Sequence, residues 1–204
     1  MSLANYSDLV ASVANWMNRT DLGSVIPDFV TIAESRIARD LRLRKQITSG
    51  TLTTSTSTRA VTLPSGFLEF SSITIDGTPD TIIQVVSTEH LDAKYPESGY
   101  SGKPIVCAIE GDSALFGPTP DAAYTVNIDY YARFPGLQAN STNWLMTNHP
   151  NVYLSACMAQ GALFTLDKTG AAEWNAVYKS EIAELVKDDQ YATHSGSVMR
   201  VKSQ

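Results

Sequence analysis

One amphipathic stretch constrains this chain more than any other: residues 24–45, SVIPDFVTIAESRIARDLRLRK. Ile26, Phe29, Val30, Ala33, Ile37 and Leu41 recur at steps of three and four, which lines one face of an α-helix. Pro27 stands near the front, where a missing N–H costs nothing, and Asp28 suits the positive end of the helix dipole. Arg36, Arg39, Arg42, Arg44 and Lys45 crowd the other end, where cations are favoured. At 1.5 Å per residue the helix would span roughly 30 Å, enough to cross a small domain.

The 204 residues allow one large domain or two modest ones, with 43% apolar and 18% charged side chains in a globular balance. A net charge of −6 disfavours a dedicated nucleic-acid binder unless the basic residues cluster. They cluster once, from Arg36 to Lys45, and a solvated helix end with Asp40 as local partner explains that cluster. Cys107 and Cys157 each sit in an apolar stretch and read as small buried hydrophobes, not as a disulfide or metal pair. The amino terminus lacks the basic and apolar regions of a secretory signal, and no run is long enough to span a membrane. The expectation is a soluble protein made in a cytoplasm.

Along the chain, helical periodicity covers residues 7–18, with Ser7 as cap. After Lys45 the texture turns to threonine and valine, which favour extended chain. Strands are expected within residues 47–63, then at 67–75, 81–86, 105–109, 114–116 and 124–133, with Asp76-Gly77 as a hairpin signal. A short helix is expected at 88–95, capped by Thr88. Residues 135–147 read as a long loop, and helices return from Pro150 and over 171–190. The sequence therefore reads as α+β: an antiparallel helical bundle from residues 1–46 and 141–190, an inserted antiparallel β-meander or sandwich at 47–140, and an unstructured tail at 191–204.

No catalytic constellation emerges. His90, His149 and His194 stand alone, without zinc-site spacing. GYSGK and GDSAL lack the glycine placement of a nucleophile elbow. Gly102-Lys103 resembles the end of a P-loop, but Glu97 occupies the first glycine position and Pro104 the magnesium-binding one. Glu110/Asp112 and Asp188/Asp189 are carboxylate pairs, and both read as solvated surface. No metal or cofactor is expected.

Three segments carry a resemblance: NYSDLVASVANWMNRTDLGSVIPDFVTIAESRIARDLRLR at 5–44, LPSGFLEFSSITIDG at 63–77, and WLMTNHPNVYLSACMAQGALFTLDKTGAAEWNAVYKSEIAEL at 144–185, followed by a tail with HSGSVMRV. In order and spacing they resemble the head-to-tail adaptor, or connector, proteins of tailed and mostly short-tailed bacteriophages. The resemblance implies a non-enzymatic virion protein of the neck, assembled in the bacterial host cytoplasm as a homo-oligomeric ring, usually a dodecamer, below the portal. Such a ring extends the DNA channel without binding the genome specifically and carries the tail nozzle or fibres. Ring closure can require the portal as template, so a free monomer is compatible with it. On that reading Val198, Met199, Arg200 and Val201 are expected to dock onto the portal or another partner, and Arg36, Arg39, Arg42 and Arg44 to meet a neighbouring subunit. A neck completion or stopper protein, and a cell-wall glycan hydrolase using a carboxylate pair, are the alternatives.

Overall fold

The computed structural model describes residues 3–96 and 99–194. In chain order its elements begin α1 (Tyr6–Trp16), α2 (Ile26–Asp40), β1 (Ile47–Thr53), β2 (Ala60–Thr62), β3 (Phe67–Ile75), β4 (Thr81–Ile82), β5 (Gln84–Val85) and α3 (Thr88–Lys94). They continue β6 (Val106–Glu110), β7 (Ser113–Gly117), β8 (Thr125–Ala132), α4 (Leu137–Asn140), α5 (Trp144–Asn148), α6 (Pro150–Phe164) and α7 (Lys168–His194). The fold is α+β in two units. Lys45–Arg133 holds the strands and α3, and the flanking segments build a helical unit.

In the helical unit α2 is shorter than its periodicity suggests. It stops at Asp40, and Leu41 is already extended at φ −116° and ψ 128°. The reason lies in residues 41–44, Leu-Arg-Leu-Arg, which also alternate with period two. Leu41 and Leu43 are both buried, and only extended backbone can bury them while keeping Arg42 and Arg44 outside. At the other end of the unit, α1 is capped by Asn5, not Ser7: the Asn5 side chain accepts from the Asp8 N–H at 3.0 Å.

Helix α6 is buried nearly all round, from Val152 to Ala162, as the central helix of a bundle must be. Helix α7 packs along it by a narrower seam, with Ala171, Tyr178 and Leu185 buried at seven-residue intervals. Asp167 starts α7 by accepting from the Gly170 N–H at 3.0 Å. The helix then runs to His194, so residues 191–194 are helical where a structureless tail was expected. The remainder of that tail lies outside the described residues. Residues 134–140, read from sequence as part of the β insertion and its following loop, pack with the helices. Leu137 is fully buried there, and Phe134 stacks on Trp144 at 6.0 Å. Two short helices, α4 and α5, replace the expected long loop; Glu34 from α2 accepts the Leu137 N–H at 2.7 Å at the start of α4.

The strands form two four-stranded sheets among the described residues, β1-β8-β3-β4 and β2-β7-β6-β5. This is a sandwich and not a meander, because β8 lies between β1 and β3. Nor is it wholly antiparallel: β5 pairs with β6 in parallel, and α3 makes the crossover between them. The expected single strand at 81–86 is divided between the sheets as β4 and β5, with Ile83 buried at the corner. Alternation does the rest. Cys107, Ala114 and Phe116 face Leu52, Ile73, Val126 and Ile128 of the first sheet, while Val106, Ala108 and Leu115 face Leu91 of α3 on the opposite side. Ser87, not Thr88, caps α3, its hydroxyl accepting from the His90 N–H at 3.3 Å. Burial pushes the Cys107 thiol up to about 12, consistent with a packing role.

Phe116 is among the largest fully buried side chains and sits between the two sheets. Phe116→Ala should cost about 3–5 kcal/mol by urea denaturation. A loss below about 1 kcal/mol would contradict the sandwich core.

Candidate functional site

The four arginines singled out by sequence do not share a face. Arg36, with a side chain 17% exposed, lies over the Tyr178 ring at 4.0 Å, hydrogen-bonds Asn175 of α7 and sits 3.6 Å from Asp40. Tyr178 completes the cluster by donating from its hydroxyl to Asp40 Oδ2 at 2.9 Å. Arg42 turns back to donate to the carbonyls of Ala38 and Leu41, both at 2.7 Å, closing the end of α2. Arg44 pairs with Asp189 of α7, through Nε at 3.1 Å and its backbone N–H at 3.2 Å. Arg39 and Arg44 are the two exposed members of the set. The cluster therefore serves chiefly to fasten α2 to α7. Val198, Met199, Arg200 and Val201 lie outside the described residues.

A surface that the sequence did not single out stands at the α6–α7 turn. Leu163 is 54% and Leu166 84% exposed. Phe164 is exposed as well, its ring 5.5 Å from Phe29, and Trp16 lies edge-on to Trp174 at 5.6 Å. Leu166 adopts φ +62°, a left-handed conformation that glycine occupies without strain and leucine does not. Two shallow grooves flank this turn. One is lined by Leu163, Ala172, Arg36 and Lys168, the other by Trp16, Met158, Thr165 and Trp174. The position of Leu166 one residue past the C-cap of α6, where Gly or Asn is usual, was the available signal.

The carboxylate pairs do not converge on a cleft. Glu110 and Asp112 flank the exposed β6–β7 turn, and Asp189 is taken by Arg44. The groove beside that turn, about 370 Å³, has Asp112 as the sole carboxylate among its lining residues. No group of three or more His, Cys, Asp or Glu suited to a metal ion occurs among the described residues, and no helix among them is long and apolar enough to cross a membrane.

These contacts predict opposite outcomes for neighbouring arginines. Arg36→Glu should lower stability by about 2 kcal/mol, because it sets a carboxylate against Asp40 and loses the Asn175 bond. Arg39→Glu should stay within about 0.5 kcal/mol of the parent in the same urea titration. The Tyr178 pKa is raised, first by burial and then by its hydrogen bond to Asp40, with Arg36 and Arg39 opposing. A folded pKa above the unfolded one gives stability that is complete below about pH 10 and is lost as pH rises beyond it. Tyr178→Phe should therefore cost about 1 kcal/mol at pH 7 and flatten the alkaline decline between pH 9.5 and 11. An unchanged slope would contradict the Tyr178–Asp40 contact.

Comparison with known proteins adds identity to this geometry. No curated protein matches the chain. The model of the SU10 adaptor protein family matches residues 4–201, which takes in both units. The chain belongs to the SU10 adaptor protein family, a family of phage head-to-tail adaptors.

Proposed function

We propose that this protein forms a homo-oligomeric ring, a dodecamer in the virion, beneath the portal of a DNA-filled capsid, where it extends the channel and carries the tail nozzle or fibres. The observation that carries this reading is the match to an adaptor family over residues 4–201, in a chain that also exposes Leu163, Phe164, Leu166 and Trp16 at one turn of its helical unit. Exposed apolar side chains of that size grouped together favour a protein partner. A ring needs two different complementary surfaces on each subunit, so the helical unit and the β unit take different partners. On this reading the helices made from the two ends of the chain meet the portal and neighbouring subunits, and the inserted strands face outward or toward the tail. The ring sits in the neck of the virion and assembles in the host cytoplasm.

The net charge of −6 supports passage of the genome without specific binding, since an acidic wall repels the phosphate backbone. Arg39 is the arginine best placed to reach a neighbouring subunit, through bidentate contact with a carboxylate, and Arg44 is the second. Arg36 and Arg42 would contribute mainly by holding α2 and α7 in position. The carboxy-terminal residues Val198, Met199, Arg200 and Val201 dock onto the portal or an adjacent subunit.

Mass photometry of the protein with and without purified portal tests the ring. The expected result is a small free species that shifts to a portal-bound assembly of about twelve copies. A stable dimer indifferent to portal would contradict the proposal. In the same assay, Arg39→Glu should block ring formation while leaving the melting curve unchanged.

A further inference from the structure

Helix α7 meets the bundle along the seam of Ala171, Tyr178 and Leu185, and the two flanks beside that seam differ in charge. One flank lies toward α2, because Arg36 hydrogen-bonds Asn175 and shares a groove with Lys168 and Ala172. Lys179 stands one turn beyond Asn175 on the same side, and both lysines are exposed. Across the groove, α2 presents Ile32, 48% exposed, and the exposed Arg39, which fall on either side of Arg36 at helical spacing. Leu163 of α6, also exposed, lines the groove itself. This face is apolar at its centre and basic around it. The two acids of α2 on this side are Asp28, at its start, and Asp40, which Arg36 and the Tyr178 hydroxyl engage.

The other flank of α7, on the side where Trp174 meets Trp16 of α1, carries Glu173, Glu181, Glu184 and Asp188. Val177 stands among them, four residues from both Glu173 and Glu181, and is 43% exposed. Lys187, one turn after Glu184, lies over the Tyr191 ring at 5.8 Å. Among the described residues no salt bridge engages these carboxylates, nor Arg39, Lys168 or Lys179. Like charges three and four residues apart on a helix repel, as Glu181, Glu184 and Asp188 do. The isolated subunit therefore bears a cost that a cationic partner would relieve.

The two faces complement each other. Each sets exposed aliphatic side chains inside a charged rim, the plan of a protein–protein contact, and the rims are opposite in sign. They occupy opposite flanks of one helix, so neither can reach the other within a chain. Contact between unlike faces of successive copies repeats head to tail, as a ring requires. We propose that the acidic flank of α7 in one copy of this chain docks onto the basic α2–α7 face of the next, with Val177 packed against Ile32 and Leu163 and with Glu173 and Glu184 facing Arg39 and Lys179. This rests on the ring reading and names the two faces that make the ring.

Charge reversal in the full-length chain tests it, with purified portal present and mass photometry as the readout. Arg39→Glu with Lys179→Glu makes both faces acidic, and Glu173→Lys with Glu184→Lys makes both basic. All four side chains are exposed, so each variant should keep the parent melting curve. Each variant alone should yield at least about tenfold less ring than the parent, because like charges then meet at every contact. Mixed in equal amounts, the two should recover the ring, since every contact can then join an acidic face to a basic one. Either variant forming ring as the parent does, or a mixture as deficient as its components beside a parent that forms the ring, would overturn the proposal. Cysteine trapping separates the contact from the ring. Cys107 and Cys157 are fully buried and stay out of the reaction. Val177→Cys and Leu163→Cys chains, mixed under mild oxidation, should form a linked pair faster than Val177→Cys with Ala11→Cys, an exposed control on α1. If the parent forms the ring but this pair links no faster than the control, the contact is wrong and the ring reading stands. Fast linkage in a protein that forms no ring would sustain the contact and remove the ring.

Discussion

The arrangement of this protein depends on the ladder between β1 and β8. The helical unit is made from two segments separated by the whole Lys45–Arg133 unit, so the ends of that unit have to return to one another. The ladder supplies the return, pairing Ile47 with Tyr131 and continuing for seven residues to Thr53 and Thr125. Hydrogen bonds between residues some eighty positions apart replace a long open loop, whose closure entropy would otherwise weigh against bringing the helices together. The same ladder places β8 at the centre of its sheet, where β3 pairs with its other side and Val126, Ile128 and Tyr130 enter the core.

Within the helical unit the comparable element is α6. Because it is covered on all sides, its neighbours are held by its shape more than by their own stripes, and α1, α2, α5 and α7 all pack against it. Polar contacts then fix α2 to α7 at the rim. Arg36, Asp40, Tyr178 and Asn175 form one group, and Arg44 with Asp189 forms another. The outcome is a scaffold with its arginines mostly engaged and its α6–α7 turn presenting leucine and aromatic side chains to solvent. An adaptor requires such a division, with a rigid interior and distinct outward surfaces for unlike partners.

Much of this was legible in the sequence where periodicity was strong. The α2 stripe from Ile26 to Ile37 and the β3 and β8 alternation each identify an element, and the α+β class follows from the order of helical and extended segments. What periodicity could not supply was the partner of each strand. Alternation in residues 125–132 says that one face is buried, but it does not say that β1, from the far end of the insertion, lies alongside. The end of α2 was misread because Leu41 satisfies period 3.6 and period two equally, and the burial of Leu43 decides between them. Among the candidate site residues, Arg39 and Arg44 are exposed, whereas Arg36, Arg42 and Arg44 have partners in their own chain that charge counting does not reveal. The exposure of Leu166 follows from its place after the C-cap of α6, a turn position that its apolar character does not advertise.

If the β1–β8 ladder is what lets the two chain ends share one bundle, the ladder should not open while the bundle stays closed. Native-state hydrogen exchange measures this directly. The account predicts that ladder amides of β1 and β8 exchange with the same opening free energy and denaturant dependence as the amides of α6, as one cooperative unit. Exchange of the ladder through a separate opening several kcal/mol lower, with α6 still fully protected, would contradict it.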